Sequence, residues 1–359
     1  MKTVQFPIFK TKTEKEQIFD LSNPEEQREY FMAKAGKEIE KLRDYMEHNT
    51  FIAYLMGKKN SGKGTYARLF IDVVGGKNVA HFSIGDMVRG LDAVLADKEQ
   101  KAELIDFLNK NYRGFVSVDD IIKALESRDT KGLSVPDEAL LALVKREISK
   151  MSKKTLLIDG FPRNLDQVSY SLYFRDLIDY REDPDLFVLI DVPEAVIDER
   201  IRYRVVCPKC HSINNFKLHS PAKECIRYDE QKKEFYFVCS RPGCKEVRMV
   251  SKEGDDLGIK AIKDRLEMDE KLIKQAFSLY GIPKVLLRNS IPKDMADKYV
   301  DKYEITPEFS YKWNNETKEV QILKKPWIVP NDRGVPSYGL LPQPMVVAMI
   351  KQIAEVFSL

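Results

Sequence analysis

An apolar run at 51–56, Phe-Ile-Ala-Tyr-Leu-Met, passes directly into Gly57-Lys58-Lys59-Asn60-Ser61-Gly62-Lys63-Gly64-Thr65 and then into a helical pattern over 65–73. A strand that ends in a glycine-bounded turn and continues as a helix narrows the choice of fold sharply. The turn lets successive backbone N–H groups face inward around an anion, and the helix that follows adds its positive dipole end. Lys63 supplies a mobile positive charge. The spacing G-x4-G-K marks a phosphate-binding loop, so the chain is expected to handle a nucleotide.

The rest of the chain fits a sheet built around that loop. Apolar runs at 51–56, 79–82, 155–158, 186–192 and 327–329 alternate with helical patterns, which predicts an α/β fold with a parallel sheet wrapped by helices. Two stretches break the rhythm: a mostly helical one at 88–137, and a polar, cysteine-bearing one at 203–258. Both read as excursions from a single core. Before the first strand, 23–48 carries Tyr30, Phe31, Ala35, Ile39, Leu42 and Met46 at helical spacing behind Asn23-Pro24-Glu25-Glu26, a capped start. Alternating residues around Asn314-Asn315-Glu316 predict a β-hairpin insertion.

Bulk properties exclude some partners. The 359 residues carry a net charge of +3 with both signs dispersed, which gives no field for nucleic acid or an anionic membrane. No apolar stretch is long enough to span a bilayer, and the first residues lack a secretion signal, so a cytoplasmic protein is expected, with a monomer favoured. All five cysteines lie between Cys207 and Cys244, which in a reducing compartment favours metal binding over disulfides.

Two further segments place acids and arginines at strand ends, where ligands gather in an open parallel sheet. In Leu157-Ile158-Asp159-Gly160-Phe161-Pro162-Arg163, Asp159 is placed to hold water on a magnesium ion, and Arg163 to grip a second phosphate. In His81-Phe82-Ser83-Ile84-Gly85-Asp86-Met87-Val88-Arg89, Arg89 is set to grip the same phosphate from the other side. Asp86 reads either as a helix-start acid or as a second water-mediated magnesium contact.

Together with G-K-G-T in the loop, these segments resemble the adenylate kinase family of nucleoside monophosphate kinases. The resemblance extends through Gly132-Leu133-Ser134-Val135-Pro136-Asp137, Asp191-Val-Pro-Glu194, Arg200-Ile-Arg-Tyr-Arg204 and Ala261-Ile-Lys-Asp-Arg265, over most of 51–290. It implies a three-layer α/β/α P-loop kinase core (51–82, 141–203 and 258–359, with the hairpin at 303–325), a helical arm for the monophosphate at 83–140, a lid at 204–257 and an N-terminal extension at 1–50. It also implies reversible transfer of the ATP γ-phosphoryl to AMP. Asn60, Ser61, Gly62, Lys63, Gly64 and Thr65 would cradle ATP, and Arg200 would stack near its base. Arg89 and Arg163 would bind the acceptor phosphate. Ile84, Leu133, Ser134, Val135, Gly160, Phe161, Pro162 and Gln167 would surround the acceptor's sugar and base. Arg204 and Arg265 would close on the group in flight, and 331–334 would lie near the ATP base.

Three positions depart from the family pattern. Asn60 replaces a glycine, Ile84 replaces a threonine, and the second lid cation falls to Arg248 or Lys252. In the lid, Cys207-Pro-Lys-Cys210 and Cys239-Ser-Arg-Pro-Gly-Cys244 form two knuckles that supply four thiolates for a structural zinc, a zinc-ribbon-like arrangement. Cys225 is an alternative to Cys239. Two other readings stand beside ATP:AMP transfer. One is a UMP/CMP kinase, against which Gln167 speaks. The other is a non-catalytic zinc-ribbon and P-loop binding protein, for which Lys217, Arg227, Tyr228, Lys232, Phe235 and Tyr236 would offer a surface.

Overall fold

The computed structural model describes residues 6–14, 17–127, 135–164, 167, 173–219, 223–244 and 246–359. At its centre is a five-stranded parallel sheet built from β1 (Ile52–Gly57), β2 (Val79–Ser83), β3 (Thr155–Asp159), β4 (Asp185–Asp191) and the strand Lys284–Arg288. Their spatial order is Lys284–Arg288, β4, β1, β3, β2. The chain reverses direction across the sheet beside β1, so the crevice at the strands' carboxyl ends opens above the phosphate loop. β4, Asp-Leu-Phe-Val-Leu-Ile-Asp, is buried along its whole length, as a central parallel strand covered on both faces must be.

Helices cover both faces. α1 (Pro24–His48) and α2 (Lys63–Val74) lie on one side, joined by the last helix of the chain, Pro342–Val356. Tyr30, Phe31, Ala35, Ile39, Leu42 and Met46 of α1 are all buried in the cluster that also holds Phe70, Val188 and Ile350. The N-terminal helix is thus a layer of the core. The arm comprises α3 (Ile84–Ala96), α4 (Lys98–Asn111), α5 (Val118–Ser127) and α6 (Asp137–Ile148), packed around Leu91, Leu104, Leu108, Ile121 and Leu143. α7 (Glu194–Arg202) leads from β4 toward the lid, and α8 (Lys263–Ser278) returns from it to pack against the sheet's second face.

The lid holds an antiparallel trio, β5 (Arg204–Val206), β6 (Ile213–Asn215) and β9 (Val250–Ser251), and a hairpin of β7 (Ile226–Asp229) and β8 (Glu234–Phe237). After the core strand β10 (Lys284–Arg288) come β11 (Ile291–Pro292), β12 (Pro307–Asn314), β13 (Glu319–Pro326), β14 (Ile328–Pro330) and β15 (Pro336–Tyr338), then α9 (Pro342–Val356). One expectation fails here. The apolar run at 327–329 does not join the parallel sheet; its strand, β14, pairs antiparallel with β15 in a small separate sheet, order β11-β15-β14. The fifth core position belongs to β10, which follows α8 after a short connection and lies parallel to β4 with Val285 beside Val188. β10 is an edge strand. It fully buries only Val285 and Leu287, so its apolar signal is weaker than that of the run at 327–329.

A buried polar knot ties the extension to the segment after β11. Lys34 Nζ lies 2.6 Å from Asp301 Oδ2 and 3.7 Å from Glu304 Oε1, and donates to the Thr11 carbonyl at 2.9 Å. Tyr30 Oη and Thr11 Oγ1 complete the carboxylate of Glu304, at 2.6 and 2.7 Å. Removing one partner of such a cluster leaves a buried charge uncompensated. Lys34→Met is accordingly expected to lower the unfolding free energy by about 3 kcal/mol, read as a lower urea midpoint. A change under about 0.5 kcal/mol, the range of ordinary surface substitutions, would contradict the role given to the knot.

Candidate active site

The loop after β1 takes its shape from two left-handed residues, Asn60 at φ +65° and Gly62 at φ +105°. Asparagine is the non-glycine residue best suited to that region, which explains how Asn60 keeps the turn where the family pattern has glycine. Ser61 N–H closes the turn on the Lys58 carbonyl at 3.0 Å. Lys63, the first residue of α2, folds back so that Nζ donates to the Gly57 and Lys58 carbonyls at 2.9 and 3.3 Å. Its ammonium stands 3.9 Å from Asp159 Oδ1 at the end of β3. Burial pushes the Lys63 pKa down, while Asp159 and Asp269 pull it back up. From α7, Arg200 Nη1 donates to the Asn60 and Ser61 carbonyls at 3.1 and 3.2 Å, so it braces the loop. Lys58 is buried beneath and pairs with Glu194 at 3.0 Å.

Opposite the loop lies the turn after β3. Gly160, at φ +87°, precedes Phe161 and Pro162, joined by a cis peptide. Arg163 Nε donates to the Gly160 carbonyl at 2.8 Å, and its backbone N–H to Gln167 Oε1 at 2.6 Å. Gln167 Nε2 and Asn164 Nδ2 each donate to Asp137 at 2.6 Å. Gln167, buried, thereby fixes the turn that aims Arg163. Arg89 extends from α3 and pairs with Asp86. A carbon added at Gly85 would stand 3.4 Å from Arg89 Nη1 and 3.7 Å from Arg163 Nη2, so both guanidinium groups flank that glycine. Ile84 is fully buried with Phe161 in one apolar cluster, and Val135 packs against the arm's core. Leu133 and Ser134 lie outside the described residues.

The remaining cations arrive from the lid and from α8. Arg204 on β5 makes a two-pronged bond to Asp255, its Nε lying 2.7 Å from Oδ2. Arg265 pairs with Asp269 at 3.0 Å, and Asp269 also accepts Lys59 N–H at 2.8 Å. Lys252 directly follows β9, which pairs with β5, and its charge reaches Lys59. Arg248 instead pairs with Glu234 and lies over the Tyr236 ring, 4.2 Å from its centroid. Mutual repulsion registers the crowding. Burial and nearby Lys252, Arg204 and Arg265 lower the Lys59 pKa; burial, Arg265 and Arg89 lower that of Arg163, against the pull of Asp159. Cations held together against their own repulsion make a site for a polyanion.

Cys207, Cys210, Cys239 and Cys244 bring their sulfurs within 4.8 Å of one another. Cys207 and Cys244 are 3.9 Å apart, and Cys210 and Cys239 3.6 Å. A tetrahedron with Zn–S bonds of about 2.3 Å requires separations near 3.8 Å, so this donor set fits zinc. Cys225 lies outside the cluster, and among the described residues no histidine joins it. Tyr228 and Phe235, which the binding-module reading would offer as a surface, are occupied by Trp313 and Tyr311 of the β12–β13 hairpin.

Between loop, α7 and lid opens a cavity of about 580 Å³ lined by Lys63, Thr65, Asp159, Arg200, Arg204 and Asn214. On its far wall stand Thr306, Trp327, Leu341 and Pro342. The turn at 331–334, expected there, lies instead at the start of α7, where Asp332 accepts the Glu194 N–H at 3.0 Å. Asp255 and Asp269 were missed in the sequence. Asp269 was available as the i+4 partner of Arg265 on one helix.

A phosphate loop at the carboxyl edge of a parallel sheet, faced by converging arginines, defines a P-loop phosphotransferase. Residues 57–205 match a family model described as an AAA domain. An adenylate kinase of Kosmotoga olearia is 34% identical over 174 residues, 48% of this chain and 67% of that one. One from Thermotoga neapolitana is 32% identical over 176 residues, with 48% and 67% covered. One from Clostridium acetobutylicum is 34% identical over 157 residues, with 44% and 60% covered. The chain belongs to the adenylate kinase family and is a nucleoside monophosphate kinase. Among the described residues no helix is long and apolar enough to cross a membrane.

Proposed function

We propose that this protein transfers the terminal phosphoryl group of ATP to AMP, reversibly and with Mg²⁺, giving two molecules of ADP. The observation that carries this reading is the convergence of Lys63, Arg163, Arg204 and Arg265, from four separate stretches of chain, on the space above β1 and β3. Phosphoryl transfer runs through a loose transition state whose charge spreads over the moving group, so it demands positive charge and alignment more than a base. The loop from Asn60 to Thr65 would seat the donor phosphates, with Lys63 following the transferred group. Arg89 and Arg163 would align the acceptor phosphate across from it. Arg204 and Arg265, now on Asp255 and Asp269, would turn onto the group in flight, with Lys252 beside them. Arg200 would border the donor base, opposite Leu341 and Pro342.

Asp159 presents a hard anionic oxygen to the cavity beside Lys63, which suits a hard divalent cation. Mg²⁺ arriving with ATP would neutralise donor phosphate oxygens there, with Asp159 its nearest carboxylate and Asp86 a second one on α3. The four lid thiolates would hold a structural zinc that keeps Arg204 on a folded strand. Drawing lid and arm together around both nucleotides excludes water, which would otherwise take the phosphoryl group.

AMP as acceptor rests on the names of the relatives and on Gln167, whose amide in this structure is buried on Asp137 and the Arg163 N–H; Ile84, where the family pattern has a threonine, is fully buried and offers no hydroxyl. The deciding experiment measures ADP formation from ATP and Mg²⁺ with AMP, CMP, UMP, GMP or no acceptor. Acceleration by AMP alone is expected. Faster turnover with CMP or UMP would move the acceptor assignment, and acceptor-independent ADP formation would overturn the kinase reading.

A further inference from the structure

The β12–β13 hairpin belongs to both the core and the lid, although the lid is joined to the core through only two neighbouring stretches of backbone, at Arg204 and at 252–258. Its roots are fixed to the core. Thr306 N–H bonds to the Gly339 carbonyl at 2.8 Å, Trp327 N–H to the Thr306 carbonyl at 3.0 Å, and Trp327 Nε1 to Glu199 Oε2 on α7 at 2.7 Å. Its outer half is part of the lid's apolar core, where Tyr311, Trp313, Val320 and Ile322 pack around the residues that carry the cysteines. Trp313 stacks on Tyr228 with centroids 4.9 Å apart at 24°, and Tyr311 meets Phe216 edge-on at 5.0 Å. Phe309 N–H and Tyr311 Oη bond to lid carbonyls at Lys217 and Phe216, at 2.8 and 3.1 Å. Lys217 also links α7 and the hairpin, lying 2.8 Å from Glu199 and 3.3 Å from Glu308.

A unit attached by two adjacent strands hinges freely, whereas a third attachment away from the hinge line restrains it. We propose that the hairpin is a strut that holds the lid, and with it Arg204, over the nucleotide cavity. Swinging the lid away requires breaking the contacts of Tyr311 and Trp313 with Phe216 and Tyr228. The strut is a positioning element, since neither aromatic side chain lines the cavity, while its roots Thr306 and Trp327 do. Donor binding at the cavity wall and lid position are therefore coupled through a segment outside the matched 57–205. The inference rests on reading this cavity as the ATP site.

The test compares the zinc-loaded wild-type protein with Tyr311→Ala/Trp313→Ala and with Trp313→Phe. Labels incorporated as unnatural side chains at Lys233 in the lid and Lys41 on α1 report lid-to-core distance distributions without nucleotide, so the readout does not depend on which acceptor is used. One narrow distribution is expected for wild type, and one that broadens to longer distances in the double variant and narrows again with ATP. The KM for ATP should rise about tenfold, equivalent to about 1.4 kcal/mol, with kcat changed less than the KM, zinc retained, and Trp313→Phe close to wild type. Three results would overturn the proposal: a broad wild-type distribution, which makes the hairpin a passenger of the lid; unchanged distances and KM in the double variant; or loss of zinc from it, which makes the hairpin only part of the lid's core.

Discussion

Replacing Arg163 with methionine is expected to lower kcat by about 100- to 1000-fold, the usual effect of deleting one preorganised charge donor, without loss of stability. The two halves of this expectation come from the same geometry. Arg163 is held by the Gly160 carbonyl and by the turn that Gln167, Asn164 and Asp137 fix, so its guanidinium is aimed before any substrate binds. Burial and the nearby Arg265 and Arg89 disfavour its charge. A neutral side chain of similar length removes that repulsion, so the melting temperature should stay the same or rise. The checks are steady-state kinetics at saturating substrates and a thermal melt. Near-wild-type kcat would remove Arg163 from the reaction, and a variant that is inactive because it unfolds would show that the arginine serves packing instead.

Metal removal is expected to have an effect as large or larger, confined to one region. Beyond the cysteines, the lid cluster fully buries only Ile226, Phe237, Met249 and the hairpin's Val320, with a half-buried rim that includes Phe216, Tyr228 and Phe235. Structural zinc sites contribute about 10–16 kcal/mol of apparent binding free energy in small domains, far more than such a core can replace. Treatment with a strong chelator, or Cys239→Ser, should release about one zinc per chain, as a tetrahedral four-thiolate site requires. Backbone amides in β5–β9 should then exchange rapidly while those of β1, β3 and β4 keep their protection. Turnover should fall about 1000-fold, because Arg204 loses the strand that presents it, a loss on the scale of removing a transition-state arginine. A metal-free protein with a protected lid and full activity would show that the thiols are structural without a metal.

The parts of this protein that were legible in the sequence are those set by local backbone demands. The phosphate loop needs left-handed positions at fixed offsets, and the Asp159 to Arg163 turn and the two cysteine knuckles have equally short-range spacing. Less legible were features decided by packing at long range. β10 was overlooked because an edge strand fully buries only Val285 and Leu287, while Trp327 and Val329, which are as apolar, are buried outside the parallel sheet. The choice between Arg248 and Lys252 depends on the β5–β9 pairing, which two-residue β9 does not announce. The destination of the hairpin depends on Trp313 finding Tyr228, 85 positions earlier in the chain, a pairing no periodicity reveals. The placement of Arg204 on buried Asp255 was likewise hidden, since the two lie 51 positions apart, whereas that of Arg265 on Asp269 follows helical i+4 spacing.

That placement makes the central claim directly testable. Arg89, Arg204 and Arg265 each rest on a carboxylate in this structure, and the account requires them to exchange those partners for phosphate oxygens. A crystal structure with a dinucleoside polyphosphate spanning both sites, with Mg²⁺, measures this. The account predicts Lys63, Arg89, Arg163, Arg204 and Arg265 within hydrogen-bond distance of the polyphosphate chain. Finding the ligand bound while those arginines stay on Asp86, Asp255 and Asp269 would contradict it.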